Sequence, residues 1–303
     1  LAHSMLFVNN LALNGNDAQR ARILPDVCSG KKIGGMCMSE PGAGTDVLGM
    51  RTTAVEDGDA WVLNGAKMWI TNGAISDTEL GDVFLVYANT GGQGGRALSL
   101  FLVEKGMAGF KLGQKIKGKL GVRASTTAEL VFENVRVPAE NMIGSKGNAV
   151  RSMMRNLEIE RLTLAAMSLG IARRSIEVMI RYANERQAFG QPLNRFGQIQ
   201  RHIAESYAEY MAGRAYVYNT AQNLALDSFG NRTDSDGVKL YCSTMGKNVA
   251  DRAIQVLGGY GYVAEYQVER LWRDAKLLEI GGGTNEAHQK NMTRDLVGRT
   301  IIR

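Results

Sequence analysis

The chain has 303 residues, of which 45% are hydrophobic and 22% are charged. Such a composition is ordinary for a globular protein and argues against disorder, because enough apolar surface is available for burial. The 36 basic residues outnumber the 30 acidic ones by six, which is too small an excess to indicate a basic tail. The three cysteines and three histidines lack metal-type spacing, and we expect no metal, no disulfide framework and a reducing compartment. Because no apolar run reaches about 18 residues, we also expect no membrane span.

The first half of the chain combines a short helical start with a glycine-rich β segment. Residues 1–29 show a helical pattern. Of the 36 glycines, 21 lie between Gly30 and Gly147, where β-branched runs alternate with turn residues. This texture predicts several antiparallel strands in a sandwich or barrel. The runs are Ala60–Thr71, Val83–Tyr87, Leu98–Val103 and Ala128–Val137.

From Asn148 onward the pattern changes to helical periodicity, and Pro192 is the only proline in this part. Glycine pairs and the proline mark the breaks between periodic stretches. The sequence therefore predicts a bundle of long helices. They are placed at 148–184, 195–227, 234–257, 266–278 and 285–299.

Two loops carry groups that suit a polar ligand. Met38–Asp46 combines glycine N–H groups with the hydroxyls of Ser39 and Thr45, which favours a ring edge or an anion. An ordinary strand connection is the alternative. Trp69–Gly73 ends a strand with an aromatic ring, a hydroxyl and an amide, although a buried tryptophan more often belongs to a core than to a cofactor site.

Two further patterns are weaker. Gly259–Ala264 fits the spacing of a dinucleotide fingerprint, but the helix before it favours a glycine-rich helix end that a ligand could approach. A basic cluster lacks the interleaved aromatic residues of nucleic-acid binders. It is therefore interpreted as a solvated face, with contact to an anionic ligand as the alternative. Its members are Lys111, Lys115, Lys117, Lys119 and Arg123.

Glu160 is the only charged residue on a narrow apolar stripe with 4-3-4-3-4 spacing. The other members are Met153, Leu157, Leu164, Met167 and Ile171. Burial disfavours a carboxylate anion, so we expect a raised pKa and a candidate general base. Pairing of Glu160 with Arg161 or Arg155 is the alternative. Glu158 is offset by about 200° and is expected to face elsewhere.

Six segments, in this order, resemble the acyl-CoA dehydrogenases, a FAD-dependent family, over nearly the whole chain. They are Met38–Asp46, Val62–Gly65, Trp69–Gly73, Arg186–Gly190, Gln255–Tyr262 and Arg273–Leu277. The resemblance implies an α+β multidomain fold, with a middle antiparallel β-sandwich or barrel and a C-terminal helical bundle. It predicts domains at 1–32, 33–146 and 147–303, the first being the remnant of a mostly missing N-terminal helical domain.

Most members of this family carry the catalytic base in a Tyr-Glu-Gly-Thr segment. Here Gly281–Thr284 takes that place, and Gly282 holds the position of the base. Isovaleryl-CoA and long-chain members instead place the base on a helix of the bundle. Leu157–Leu162 and Ile280–Glu286 are similar to the isovaleryl type, so the resemblance and the apolar stripe select the same residue, Glu160.

The resemblance implies α,β-dehydrogenation of a short branched-chain acyl-CoA, with electrons passed to an electron-transfer flavoprotein. It further implies a homotetramer, in the mitochondrial matrix of a eukaryote or otherwise in the cytoplasm, with no nucleic-acid partner. The expected FAD contacts are Met36, Met38, Ser39, Thr45, Trp69, Ile70, Thr71, Arg186, Gln255, Val256, Leu257, Gly258, Gly259, Thr284, Asn285 and Glu286. The expected substrate contacts are Thr45, Glu158, Arg161, Gly282 and Gly283. A non-catalytic scaffold protein and an acyl-CoA oxidase on the same fold are the alternatives.

Overall fold

The computed structural model describes residues 2–91, 97–225 and 232–297. These residues divide into two compact units. The first unit contains the residues up to 119 together with 123–157, and the second contains 120–122 together with the residues from 158 onward. The boundaries of the three domains expected from the sequence stay a prediction.

The first unit consists of two short helices and an eight-stranded sheet. The helices are α1 (Ala2–Asn14) and α2 (Asp17–Cys28). The strands are β1 (Gly34–Cys37), β2 (Thr53–Asp57), β3 (Ala60–Thr71), β4 (Val83–Asn89), β5 (Leu98–Glu104), β6 (Phe110–Lys115), β7 (Thr127–Pro138) and β8 (Met142–Ile143). The sheet order is β6-β7-β3-β2-β4-β5-β8, and β1 pairs with β4. All four strands expected from the sequence are present.

The sheet is mixed, whereas the sequence predicted antiparallel strands. Both β1 and β2 run parallel to β4, and the other pairs are antiparallel. A parallel pair requires a long crossover between its strands. The residues between Cys37 and Val83 supply that crossover, and they contain β2, β3 and the Met38–Asp46 loop.

Strands β4 and β5 are buried on both faces, which explains their continuous apolar sequences. Because successive side chains of a strand point to opposite sides, each strand contributes to two cores. Phe84 and Phe101 lie in a core that is closed by Trp61 and other residues of β3, β6 and β7. Leu85 and Leu100 lie in a second core together with the apolar residues of α1 and α2.

The second unit is helical. Its elements are α3 (Ala149–Glu185), which begins in the first unit, β9 (Gln187–Ala188), β10 (Gln191–Pro192), α4 (Gly197–Asn223), α5 (Arg232–Leu257), α6 (Val268–Leu278) and α7 (Asn285–Val297). The five long helices expected from the sequence are confirmed, although α4 ends at Asn223. Positions 226–227 and 298–299 of two expected helices lie outside the described residues. In the described part of the chain, none of the helices is sufficiently long and apolar to span a bilayer.

Candidate active site

In the first unit, the loop after β1 is fixed by a buried ion pair. The Glu40 carboxylate accepts hydrogen bonds from the backbone N–H groups of Arg51 and Thr52 (2.6 and 2.9 Å) and from Lys67 Nζ (2.9 Å). Lys67 Nζ also donates to the carbonyl oxygen of Met38 at 3.2 Å. Burial acts against the anion, but the Lys67 ammonium and the N–H donors hold the pKa of Glu40 below its ordinary value. This pair holds the two ends of the loop together.

The part of the loop between these anchors faces solvent. Glu40 and Ala43 exchange backbone hydrogen bonds, which close a tight turn. Gly42, Gly44 and Thr45 are exposed, and Ser39 is half-buried. The loop therefore presents backbone N–H groups and hydroxyls on a rigid support, as the sequence indicated.

Trp69 is the exposed aromatic residue of this region. Its side chain is 61% exposed, so the interpretation as a core tryptophan is wrong. The backbone of Trp69 has a left-handed φ of 65°, and the register between β3 and β7 shifts between Lys67 and Ile70. A bulky residue with positive φ is uncommon and often marks a functional position. The irregularity turns the indole out of the alternation expected for a strand.

The other residues expected to contact FAD in this unit differ in exposure. Met38 and Thr71 are half-buried. Met36 and Ile70 belong to the two hydrophobic cores. A ligand in this region would therefore meet the main chain of Met36 and Ile70 rather than their side chains.

In the second unit, five of the residues expected to bind the cofactor line one open pocket of about 440 Å³. They are Arg186, Val256, Leu257, Gly258 and Gly259. The Arg186 guanidinium carbon is 5.7 Å from the ring centroid of Tyr260, another lining residue. Gln255 is exposed but is not among the residues that line this pocket.

The chemistry of this pocket fits a phosphate-bearing ligand. Gly258 has a φ of +58°, and a Cβ built on Gly258 or Gly259 would meet no atom within 4 Å. The two glycines thus leave open space next to main-chain atoms, and Arg186 supplies the positive charge. Backbone approach and an arginine are the elements that bind anionic groups in proteins.

Glu160, on α3, has a carboxylate that is shielded from water and has a raised pKa. The residue is half-buried, and its Oε2 atom is buried with no hydrogen-bond partner among the described residues. Burial raises the pKa of Glu160 to about 7, and the charges of Arg161 and Lys239 oppose this rise. The alternative, a Glu160 paired with Arg161 or Arg155, is not observed in the described part of the chain. Arg161 Nη1 lies 3.0 Å from Asp236 Oδ1 instead, and Nη2 of Arg155 has no hydrogen-bond partner there.

The apolar stripe that selected Glu160 is buried in part. Met153, Leu157 and Leu164 are buried, but Met167 is 39% exposed. Glu158, which the 200° offset places on another face of α3, is buried as well. Its position off the stripe therefore does not bring it to the surface. The apolar pattern thus correctly predicted buried neighbours for Glu160. It wrongly predicted that the buried stripe continues along α3 as far as Met167.

The glycine turn, Gly281–Gly283, lies against Glu160. A Cβ built on Gly282 would be 3.4 Å from Glu160 Cδ and would collide with Leu164. Gly282 and Gly283 have left-handed φ values of 66° and 96°, which glycine adopts at little cost. Gly282, at which the resemblance places the base of most members, is therefore next to Glu160 in space.

The residues after the glycine turn begin α7. Thr284 Oγ1 accepts a hydrogen bond from the Ala287 N–H at 3.2 Å. Asn285 exchanges hydrogen bonds with Ser243 and Thr244 of α5. Glu286 is exposed. In this structure, Thr284 and Asn285 thus attach the end of the glycine turn to α5 and α7.

Comparison with known proteins shows the family. The models of the acyl-CoA dehydrogenase middle domain and C-terminal domain match residues 35–135 and 147–297. The chain belongs to the acyl-CoA dehydrogenases. These enzymes are oxidoreductases that act on the CH–CH bond of an acyl-CoA.

Among curated relatives, this acyl-CoA dehydrogenase is 42% identical over 296 residues to mitochondrial isovaleryl-CoA dehydrogenase of Oryza sativa subsp. japonica. The match covers 97% of this chain and 71% of the rice protein. A solved chain described as an electron transferring flavoprotein of Acidaminococcus fermentans is 33% identical, with a TM-score of 0.92 and coverages of 98% and 77%. A glutaryl-CoA dehydrogenase of Mycobacterium smegmatis in complex with FADH2 is 30% identical, with a TM-score of 0.90 and coverages of 100% and 75%.

Three buried polar residues of this acyl-CoA dehydrogenase were not anticipated from the sequence. Asp236 and Lys239 of α5 and His288 of α7 have no solvent exposure. Lys239 and His288 contact the carbonyl oxygen of Gly283, and Asp236 contacts His288. A signal was available, because Asp236, Lys239 and Ser243 follow the i, i+3, i+7 spacing of one helix face. Their partners lie on another helix, which the local pattern cannot indicate.

Proposed function

We propose that this acyl-CoA dehydrogenase catalyses α,β-dehydrogenation of a short branched-chain acyl-CoA, with Glu160 as the catalytic base. The observation that carries the proposal is the Glu160 carboxylate, half-buried, with one unpartnered oxygen, beside the glycine turn. A base whose pKa lies near the working pH accepts a proton efficiently and is still largely ionised. Because burial raises the pKa of Glu160 to about 7, this carboxylate meets both requirements.

We propose FAD as the cofactor. The open pocket with Arg186 and two glycines fits the phosphate groups, and the exposed Trp69 with the rigid loop after β1 fits the ring region. One related solved structure is a complex with FADH2. Bound FAD would supply the acceptor for the β-hydrogen as hydride. The residues proposed to hold it are Met36, Met38, Ser39, Thr45, Trp69, Ile70, Thr71, Arg186, Gln255, Val256, Leu257, Gly258, Gly259, Thr284, Asn285 and Glu286.

The chain's own groups then have distinct roles. Glu160 accepts the α-proton of the thioester. Proton removal next to a carbonyl places negative charge on the carbonyl oxygen, which requires nearby hydrogen-bond donors. We assign one donor to the backbone N–H of Gly282, because the turn that contains it lies against Glu160. Thr45, Glu158, Arg161 and Gly283 are proposed as further substrate contacts.

The preference for a branched acyl group is proposed from the relatives. The rice relative is named isovaleryl-CoA dehydrogenase. We further propose an electron-transfer flavoprotein as acceptor, a homotetramer, and the mitochondrial matrix if the source is a eukaryote or the cytoplasm if it is not. Domains at 1–32, 33–146 and 147–303 are part of the same proposal.

A substrate panel tests this function. The FAD-loaded protein is mixed anaerobically with isovaleryl-, isobutyryl-, butyryl- or palmitoyl-CoA, and flavin absorbance is followed. We expect rapid bleaching with the two branched substrates and reoxidation by an electron-transfer flavoprotein. Absence of bleaching with all four would favour the non-catalytic scaffold, and rapid peroxide formation in air would favour the oxidase.

A further inference from the structure

The carbonyl oxygen of Gly283 is held by two buried side chains from different helices. Lys239 Nζ, on α5, donates to this oxygen at 2.6 Å. His288 Nε2, on α7, lies 2.9 Å from the same oxygen. The ammonium donor and the imidazole contact, both shielded from water, restrain this carbonyl more strongly than an exposed hydrogen bond would.

Asp236 fixes the imidazole of His288. Its Oδ1 atom is 2.6 Å from His288 Nδ1, and both residues are completely buried. Asp236 Oδ1 also lies 3.0 Å from Arg161 Nη1, so this carboxylate contacts the imidazole and a guanidinium together. These contacts fix the orientation of the imidazole ring and keep its Nε2 atom at the carbonyl oxygen of Gly283.

The glycine turn needs such a restraint. Gly281–Gly283 contains no side chain that could pack, and glycine has more backbone freedom to lose than any other residue. Gly283 approaches the imidazole closely, because a Cβ built there would be 3.0 Å from His288 Cε1. On its other side, the turn contacts Glu160 through Gly282. Any movement of the Gly283 carbonyl therefore changes the backbone that faces the carboxylate.

We propose that Asp236, Lys239 and His288 are positioning residues, here called the carbonyl clamp, that fix the glycine turn against Glu160 through the carbonyl oxygen of Gly283. The effect of the carbonyl clamp on the rate rests on the proposed function of Glu160. Its effect on the mobility of the glycine turn does not. The two effects can therefore be measured separately.

The first test is amide hydrogen–deuterium exchange in the FAD-loaded protein, with residues 281–284 as the reporter. His288→Leu removes the imidazole contact. Lys239→Met removes the ammonium donor but keeps the packing of the aliphatic part of the side chain. Should one variant fail to fold, the other still gives the measurement. We expect exchange in the reporter to accelerate about tenfold or more, because the backbone opens locally when its restraint is lost. Exchange equal to wild type in the folded variants would overturn the carbonyl clamp.

The second test is steady-state kinetics with isovaleryl-CoA. For His288→Leu we expect kcat to fall about 10- to 100-fold and KM to change less than about threefold, because misplacement affects the chemical step more than binding. His288→Gln, which keeps an amide donor near the Nε2 position, should recover most of kcat. Gln289→Leu, on the exposed neighbouring residue, is the control and should match wild type.

The outcomes separate the two proposals. Faster exchange together with lower kcat, and recovery in His288→Gln, supports the carbonyl clamp as a positioning device. Faster exchange with unchanged kcat overturns its role in positioning. If none of the four acyl-CoA substrates bleaches the flavin of the wild-type protein, the proposed function fails. The exchange experiment then still decides whether the carbonyl clamp holds the glycine turn.

Discussion

A Cβ on Gly282 would lie 3.4 Å from Cδ of Glu160, so two positions far apart in the sequence are neighbours in space. The same Cβ would collide with Leu164. Because Gly282 also has a left-handed φ of 66°, the structure favours glycine at this position beside the carboxylate.

Gly282→Ala should therefore impair the enzyme. The left-handed φ of 66° strains an alanine by about 1 kcal/mol, and the methyl group must displace the side chain of Leu164, which packs beside Glu160. We expect a lower kcat with isovaleryl-CoA and a lower free energy of unfolding in urea. Gly281→Ala is the matched control, because a Cβ there would meet its nearest atom at 3.5 Å and no positive φ is involved. Equal effects of the two substitutions would contradict this requirement for glycine at position 282.

The pH dependence of kcat/KM should reflect the ionisation of Glu160. The base works only as the carboxylate, and burial raises the pKa of Glu160 to about 7. We expect kcat/KM to rise through about pH 7 to a plateau, with a value roughly tenfold below the plateau at pH 6. Because the charge of Lys239 opposes the rise in the pKa of Glu160, Lys239→Met should move the midpoint to higher pH. A flat profile between pH 5.5 and 8 would contradict the assignment.

Glu160 should also cost the protein stability at neutral and alkaline pH. Its pKa is raised from 4.5 to about 7 on folding, so the folded state holds the proton more tightly than the unfolded state. The resulting loss in the free energy of unfolding is absent below pH 4.5, grows from there to pH 7, and reaches about 3 kcal/mol above pH 7. Glu160→Gln should therefore raise the free energy of unfolding at pH 8, and much less at pH 5, in urea titrations.

The control for that measurement is Glu177→Gln, the same substitution at an exposed position of α3. Glu177 pairs with Arg173 and Arg174 at the surface. Such pairs contribute about 0–1 kcal/mol, so little change is expected at either pH. A Glu160→Gln variant that is less stable than wild type at pH 8 would contradict this prediction. It would show that interactions of the ionised carboxylate outweigh the cost of its burial in the folded state.

The ion pair between Glu40 and Lys67 should be essential for the loop proposed to hold the flavin ring. Lys67→Met leaves the buried Glu40 carboxylate without its cation, which typically costs about 3–5 kcal/mol. We expect a lower free energy of unfolding and a lower content of bound FAD, measured by absorbance. The double variant Glu40→Gln/Lys67→Met should be milder, since no uncompensated charge remains.

Lys105→Met removes the cation of an exposed pair with Glu79 in the same unit and serves as the control. Its effect should be within about 1 kcal/mol, because water screens the charges. If Lys67→Met is as stable and as rich in FAD as Lys105→Met, the buried pair does not fix the loop.

The sequence predicted the features that depend on local pattern. The continuous apolar runs of β4 and β5 and the periodicity of α3 gave strands and a helix that the structure contains. Glu160 was selected as a candidate because the apolar positions around it repeat along one helix. Parallel pairing of β1 with β4 was missed, since the partner of a strand is not encoded in the strand itself.

Features that depend on contacts between distant segments were not predicted. The exposure of Trp69 follows from a shift in register against β7 and a positive φ, neither of which composition indicates. The carbonyl clamp joins α5 to the glycine turn and α7. Asp236 and Lys239 are buried because their partners lie on other elements, and the periodicity of α5 alone gives no sign of those partners.

The most direct test of the account is the anaerobic reaction of FAD-loaded Glu160→Gln with isovaleryl-CoA in a stopped-flow instrument. The amide cannot accept the α-proton, so bleaching of the flavin should slow by several powers of ten, on the order of the 10²–10⁴-fold that a general base contributes. Glu177→Gln should bleach at the rate of wild type. Bleaching of Glu160→Gln at the wild-type rate would remove Glu160 from the mechanism.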